Sequence, residues 1–342
     1  MNATPEPIPR FGEALRHLVS CQAVITATLL WLVANIAVVW LADGVLPFDR
    51  PALAKLPFAK QVAFPTLGLI EVFLLMGVVY FLTRHRAMPD LAVRAPERAA
   101  ARRETLLLLG YAVLGQVGGW LLGPALGYRP FGFHIAGTLV GCSVTPSPGE
   151  IWTWACYNFL CFAVIPYLWF RRRYTATQLN LRSSNRRNDA LVIIVVAFME
   201  SAVELSQFPA ILQLSGHQLL RAATLAFFVF FIGTVLPTMV LIYCLLIPRY
   251  MRLTGSPVTT VLLGGLTYAG MHLVEGWSVF ATPRDTALSL IFVLLQYFGP
   301  GMIKTFITLR TGNAWVHALG YHAIAPHVVV DTSLVAKAFA IV

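Results

Sequence analysis

Charged side chains are scarce in this sequence of 342 residues, since aspartate, glutamate, lysine and arginine make up only 12% of it. Soluble domains keep about a quarter of their residues charged, because their surfaces face water. Hydrophobic residues instead account for 58% of the chain and form long runs. The composition excludes a sizeable soluble domain and predicts a multi-pass α-helical membrane protein.

Paired cysteines are also missing. The five cysteines, Cys21, Cys142, Cys156, Cys161 and Cys244, include no CxxC pair, and four of them lie in apolar runs. Cysteine-based zinc sites use closely spaced thiols such as CxxC, and disulfide frameworks are typical of short secreted chains rather than of apolar ones. Single thiols in apolar sequence indicate small buried residues. Internal repeats and low-complexity tracts are absent as well, so neither a disulfide scaffold nor a repeat fold is predicted.

Acidic residues are fewer than basic ones, and the net charge is +10. Such a surplus can indicate nucleic-acid binding, but most of these lysines and arginines stand in short loops between apolar runs. In loops they orient a membrane protein and contact anionic lipid head groups. The predicted partner is therefore membrane lipid and not nucleic acid, and the predicted location is the inner (cytoplasmic) membrane of a bacterial-type cell.

Nine stretches approach the roughly 20 apolar residues that cross a bilayer core. The last stretch is the least regular, because it contains three histidines, Pro326 and Asp331; it is either a broken helix or a span followed by an interfacial piece. The fold class is thus all-α, a transmembrane bundle of about 8–9 spans. The stretches are Val19–Ala42, Val62–Thr83, Thr105–Ala125, Ile151–Phe170, Ala190–Leu212, Ala222–Ile247, Val258–Gly276, Thr286–Leu309 and Asn313–Ala336.

The distribution of basic residues predicts the orientation of the bundle. Of the 25 lysines and arginines, 18 lie at the N-terminus or in or nearest to the loops after the second, fourth, sixth and eighth spans, and 7 lie on the other side. Basic residues concentrate on the cytoplasmic side, so the N-terminus is predicted to be cytoplasmic. The Gly- and Pro-rich segment from Gly127 to Glu150 then lies outside, as a capping or re-entrant element.

Carboxyl groups inside apolar stretches need a reason, since each costs about 2.5–3.5 kcal/mol on insertion scales. Glu71 stands alone in the second span, where a hydrogen bond to a neighbouring helix explains it as well as a function does. Glu200 and Glu204 are four residues apart on the fifth span and share one helical face. Two such carboxyls can share a proton and act as general acid and base, or they bind water or a partner helix.

Histidines concentrate in the C-terminal third. The seventh span contains His272, with Glu275 three residues on, and the last contains His317, His322, His327 and Asp331. A spacing of five residues turns an α-helix by about 140°, so we expect only His327 and Asp331 to share a face. HExxH and dense histidine boxes are absent, and no cofactor is predicted, although His317, His327 and Asp331 remain candidate metal ligands. The alternatives are a histidine-ligated metal or haem site and interhelical hydrogen bonding.

Three segments resemble one family of membrane proteins. The first resembles a span followed by a basic loop and reads PYLWFRRRYTATQLNLRSSNRRND. The second ends in an aromatic-xxx-His pattern at Tyr268 and His272 and reads LLIPRYMRLTGSPVTTVLLGGLTYAGMHL. The third resembles a TGxxW…H ending that includes His322 and reads LRTGNAWVHALGYHAI. From about Tyr157 to Asp331 the chain thereby resembles the CPBP family, the CAAX-processing and bacteriocin-processing (Abi) intramembrane endopeptidases. The resemblance implies three N-terminal spans and the outer loop in residues 1–150 and a CPBP-like core in residues 151–342.

The family's Glu-Glu-x-x-x-Arg motif is not matched. Its positions correspond to Thr238, Met239 and Tyr243 in this sequence, and Pro326 stands where the family has Asn or His. An enzyme of this class without the glutamate lacks its general base. The resemblance therefore implies a divergent, degenerate member that binds a membrane-embedded peptide, lipid or protein.

An active endopeptidase is the alternative that the resemblance leaves open. His272 and His322 would then position water or stabilise the oxyanion, and Glu200 or Glu204 would supply the base. Counted along their helices, the two histidines lie about 21 and 14 Å from the cytoplasmic face, near a common depth.

The predicted orientation can be tested at Arg172, one of the strongest basic anchors. A single cysteine replacing Arg172 should react with a membrane-impermeant thiol reagent only from the cytoplasmic side. A cysteine replacing Lys55, in the loop after the first span, should react only from outside. Labelling of position 172 from outside would overturn the orientation and the depth assigned to every polar residue above.

Overall fold

The computed structural model describes residues 20–134, 144–273 and 275–342, and within these ranges it is helical with no strand. Each of the nine predicted stretches overlaps one helical region, although the bounds differ by up to seven residues. They are α1 (Gln22–Ala42), α2 (Phe58–Thr83), α3 (Arg98–Ala125), α4 (Pro148–Arg171), α5 (Arg186–Gln207), α6 (Gly216–Thr254), α7 (Pro257–Gly270), α8 (Pro283–Thr311) and α9 (residues 314–338).

Six of these helices, α1, α2, α3, α4, α6 and α8, are long and apolar enough to cross a membrane. The all-helical, multi-pass fold is thus confirmed at this level, whereas a total of eight or nine spans stays a prediction. Helix α7 has only 14 residues, α5 contains several charged groups, and α9 is interrupted. Cys142 and part of the predicted outer loop lie outside the described residues.

The outside of the bundle is apolar and its centre is formed by α6. Leu114 on α3 and Phe198 on α5 are more than 70% exposed, as expected of side chains that face lipid. Every residue from Met239 to Tyr250 on α6 is buried. Helix α6 therefore passes through the middle of the bundle, and the other helices pack around it.

Prolines explain where the helices widen. The π-helical segments Phe159–Val164, Phe231–Val235 and Met239–Leu246 each end two residues before a proline: Pro166, Pro237 or Pro248. A proline removes one hydrogen bond and clashes with the carbonyl four residues earlier, and a π-helical turn absorbs that defect. Helix α9 is widened over Ala318–Ala323 and Ala325–Val330, the second of which contains Pro326.

Glycines let α7 and α8 pack closely. A Cβ atom added at Gly301 would lie 2.8 Å from the Cα atom of Gly265, and one at Gly264 would lie 2.0 Å from Oγ1 of Thr305. Small residues allow such backbone contact between helices in a membrane. The contact brings Lys304 of α8 over the ring of Tyr268 of α7, with Nζ 3.6 Å from the ring centroid.

The segment between α3 and α4 enters the bundle. Phe131, Phe133 and His134 are buried, and the side-chain amide of Asn158 donates to the carbonyl of Phe133 over 2.6 Å. These residues turn inward, whereas a capping or re-entrant element over the whole segment stays a prediction, because residues 135–143 lie outside the described ones. His134 is thereby positioned among α4, α6 and α7.

Charged side chains join three helices at the opposite end of the bundle. Arg86, which follows α2, forms an ion pair with Asp189 of α5 and donates to the carbonyl of Thr311 at the end of α8 over 2.6 Å. Asn313 also donates to Asp189, over 2.9 Å. The side chains of Arg86 and Asp189 are less than 10% exposed, so this network replaces water for both charges.

Replacing Arg86 with alanine should therefore destabilise the protein strongly. Removal of one partner of a buried pair leaves the other charge uncompensated and costs about 3–5 kcal/mol. We expect a clear fall in the apparent melting temperature of purified protein in detergent. Arg103→Ala, at an exposed position on α3, is the matched control and should melt like the parent. Equal melting of the two variants would contradict the assigned role of the network.

Candidate functional site

A cavity of about 480 Å³ lies between α2, α5, α7, α8 and α9. Six of the twelve buried Asp, Glu, His, Lys and Arg residues of the described chain line it. The polar side chains that line it include Arg50, Glu71, His134, Glu200, Glu204, Tyr268, Gln296, Tyr297, Lys304, Tyr321, His322, His327 and Asp331. Among the predicted site residues, Glu200, Glu204 and His322 thus line one cavity.

Three carboxyl groups form one wall of this cavity. Glu200 is buried, and it lines the cavity together with Glu71 and Tyr321. One oxygen of the Glu71 carboxyl and one of the Glu200 carboxyl make no hydrogen bond within the described chain. Glu204 lies one turn further along α5 and lines the same cavity. The predicted shared face of Glu200 and Glu204 is confirmed. The sequence did not indicate that Glu71 of α2 lines the same cavity as these two residues.

Two histidines and an aspartate form the facing wall. Nδ1 of His327 and Oδ2 of Asp331 are 2.9 Å apart, as expected of residues four apart. The rings of His322 and His327 are 5.2 Å apart. The prediction that only His327 and Asp331 share a face is wrong, because it assumed α-helical geometry. In the π-helical turns of α9, residue i pairs with residue i+5, which brings side chains five apart onto one side.

His317, one of the candidate metal ligands, does not belong to this wall. Its ring is 4.0 Å from the ring of Tyr243 of α6, and it does not line the cavity. Thr238 and Met239, at the positions of the family's glutamates, are buried but do not line the cavity either. Carboxyl groups therefore reach the cavity from α2, α5 and α9 and not from α6.

Lys304 is a cavity residue that sequence reasoning missed. It lies five residues from the end of the eighth predicted span, where long basic side chains usually extend to the membrane surface, and it was counted with the adjoining loop. In the structure it is 1% exposed and lines the cavity beside Tyr268 and Tyr321. The sequence signal that could have identified Lys304 as a buried residue is its position within an apolar stretch.

His272 lies behind Tyr268 and does not line the cavity. Its ring stacks on Tyr297 at 4.0 Å, and its Nδ1 is 2.6 Å from the carbonyl oxygen of Tyr268. The hydroxyl of Tyr268 is 3.4 Å from Nε2 of His322. Tyr268 thus separates the two predicted catalytic histidines and contacts both of them.

Beside His272, a second group of side chains converges. The rings of His134 and His272 are 4.2 Å apart, and Nδ1 of His134 is 3.2 Å from Oε1 of Glu275. His134, His272 and Glu275 each offer one ligand atom, and these atoms lie within 4.8 Å of one another. Sequence reasoning noted Glu275 near His272 but missed His134, which comes from a segment 138 residues earlier in the chain. No periodic pattern connects such distant residues.

Comparisons of the chain with protein-family models, with curated proteins and with solved structures find no match. The geometry of the cavity therefore carries the functional argument.

The cavity carboxyls should differ from structural ones in their effect on stability. Glu104 of α3 accepts hydrogen bonds from buried Arg249 and from Tyr174, so Glu104→Gln should lower the apparent melting temperature in detergent. Glu204 lines the cavity, and an isosteric amide there removes the cost of burying a carboxyl group. Glu204→Gln should melt at the parent temperature or above it. A fall as large as that of Glu104→Gln would make Glu204 a structural residue.

Proposed function

We propose that this chain is a divergent CPBP-like membrane protein whose cavity binds the polar part of a membrane-embedded peptide or lipid. The observation that supports the proposal best is a cavity with many ionisable side chains, two of whose lining residues, Leu67 and Gln207, are exposed on the outside of the bundle. Its ligand would enter sideways, from the bilayer. We further propose that the protein lies in the inner membrane with its N-terminus in the cytoplasm.

The entrance would lie between α2 and α5. These helices are joined at one end, where the side-chain amide of Asn188 donates to the carbonyl of Leu82 over 2.9 Å. At the other end, Leu67 of α2 and Gln207 of α5 both line the cavity and are both exposed. An opening between these two residues would admit an acyl chain or an extended peptide, and the polar groups of that ligand would reach Glu200.

The lining fits a ligand with hydrogen-bonding groups. Carboxyls on α2 and α5 accept or donate according to their protonation, and Lys304 donates. Unpaired polar groups within a bilayer are costly, so a peptide amide or lipid head group that pairs with them gains affinity. This chemistry explains why so many ionisable side chains persist in an otherwise apolar bundle.

Photo-crosslinking from the proposed entrance tests ligand entry. A photoreactive amino acid at Leu67 should capture a membrane peptide or lipid in living cells, and the adduct should be lost in the Glu200→Gln/Glu204→Gln double variant. Leu74, two turns along α2, is exposed but does not line the cavity. A photoreactive amino acid at Leu74 should crosslink only to bulk lipid, and these adducts should be the same in the parent and in the double variant. Identical adducts from both positions, unchanged by the double variant, would refute entry between α2 and α5.

An intramembrane hydrolase is the second candidate, favoured by the contact between Asp331 and His327. A carboxylate that accepts from Nδ1–H of a histidine fixes its tautomer and leaves Nε2 as a base. Nε2 of His327 makes no hydrogen bond within the described chain. Glu200 or Glu204 would be the other proton carrier, with His322 and His272 positioning water or stabilising the oxyanion. These side chains would take over the role of the family's two glutamates, whose positions are occupied by Thr238 and Met239 in this chain.

Cleavage of quenched-fluorescent transmembrane peptides in lipid vesicles separates the two candidates. The binding proposal predicts no cleavage by the parent protein. A hydrolase predicts cleavage that falls about 100-fold or more in His327→Gln and Asp331→Asn, because a general base contributes about that much. His317→Gln, outside the cavity, serves as the control and should cleave like the parent. Cleavage with this pattern would reject the binding-only function and establish the second candidate.

A further inference from the structure

We propose that His134, His272 and Glu275 form a binding site for one divalent transition-metal ion, with zinc the ion that the ligand set fits best. The three residues come from the segment before α4, from the residues just after α7 and from the loop that follows. All three are at most 4% exposed. The inference goes beyond the proposed ligand binding and does not depend on it.

The spacing of the three side chains matches a shared ion. Zinc bonds to histidine nitrogen and carboxylate oxygen at about 2.0–2.2 Å, so two of its tetrahedral ligand atoms lie roughly 3.3–3.5 Å apart. Nδ1 of His134 and Oε1 of Glu275 are 3.2 Å apart. The three ligand atoms, one from each residue, all lie within 4.8 Å of one another.

The atoms that face one another lack other partners. Nδ1 of His134, Nε2 of His272 and both carboxylate oxygens of Glu275 are buried and make no hydrogen bond within the described chain. Although His134 and Glu275 are close, their orientation does not give a hydrogen bond. Buried polar atoms are nearly always paired. An ion that binds one atom of each residue would pair both histidine nitrogens and one carboxylate oxygen of Glu275.

Each histidine is also held by its other nitrogen. Nδ1 of His272 is 2.6 Å from the carbonyl oxygen of Tyr268, and Nε2 of His134 is 3.0 Å from Oγ1 of Thr234. An N–H donated to these oxygens leaves the lone pair of the remaining nitrogen directed at the ion. Metal-binding histidines characteristically donate their second N–H to a carbonyl or another fixed acceptor.

Two histidines and one glutamate leave a coordination position open. Structural zinc sites use four protein ligands, whereas three ligands with an open position are typical of sites that bind water or substrate. His134 also lines the cavity, so that position would be reached from the space where a ligand is proposed to bind. The site differs from the metal ligands predicted from the sequence, since His317 contacts Tyr243 and His327 pairs with Asp331.

Metal content of the purified full-length chain tests the proposal directly. We expect about one zinc per chain by elemental mass spectrometry, and at least a tenfold lower content in His272→Ala and in Glu275→Gln. His317→Ala removes an equally buried histidine outside the set and should retain the metal. Equal metal content in all of these proteins, or none in the parent after growth and reloading with zinc, would overturn the site.

A milder pair of variants keeps the test valid if the ligand variants fail to fold. Thr234→Val removes the hydroxyl that holds His134 and should weaken cobalt(II) binding about 10- to 100-fold in protein stripped with a chelator. Thr238→Val, one turn along α6, removes a hydroxyl without a hydrogen-bond partner and should leave the affinity unchanged. Equal affinity for cobalt(II) in both variants would contradict the assigned geometry. These experiments measure metal affinity only. If they refute the metal site, the proposed function is still tested separately by crosslinking from Leu67.

Discussion

The cost of a polar group that lies away from water governs this structure. In an apolar bundle each buried donor or acceptor must find a partner within the protein. At one end of the bundle that requirement produces the network of Arg86, Asp189 and Asn313, which joins α2, α5 and the start of α9. In the interior the same requirement leaves polar atoms without hydrogen-bond partners in the described chain, and many of them belong to residues that line the cavity or form the group beside it.

Composition and periodicity predicted the architecture because both are local properties. Apolar runs located all nine helical regions, and the four-residue spacing of Glu200 and Glu204 correctly gave a shared face. The polar character of α5 and the irregularity of α9 were also visible in the sequence. Membership of the CPBP family stays a prediction, carried by Tyr268, His272 and the final histidine region.

The site itself depended on features that one-dimensional patterns do not contain. The π-helical turns of α9 bring His322 and His327 together, and an α-helical period cannot predict that pairing. His134 reaches His272 only because the segment before α4 turns inward. Lys304 is buried because glycines let α7 and α8 approach, which holds its side chain against Tyr268. Each case is a tertiary contact between residues far apart or a departure from ideal helix geometry.

The cavity carboxyls and the pair of His327 and Asp331 line one cavity, and Tyr268 connects His322 of that cavity with His272 of the neighbouring group. That arrangement is expected of a chamber in which a ligand from the membrane meets polar chemistry. A high-resolution electron cryomicroscopy structure of the protein in lipid nanodiscs tests this account most directly. It should contain elongated density that passes between Leu67 and Gln207 and ends beside Glu200 and His322. A water-filled cavity that is sealed from the bilayer by contact between α2 and α5 would contradict it.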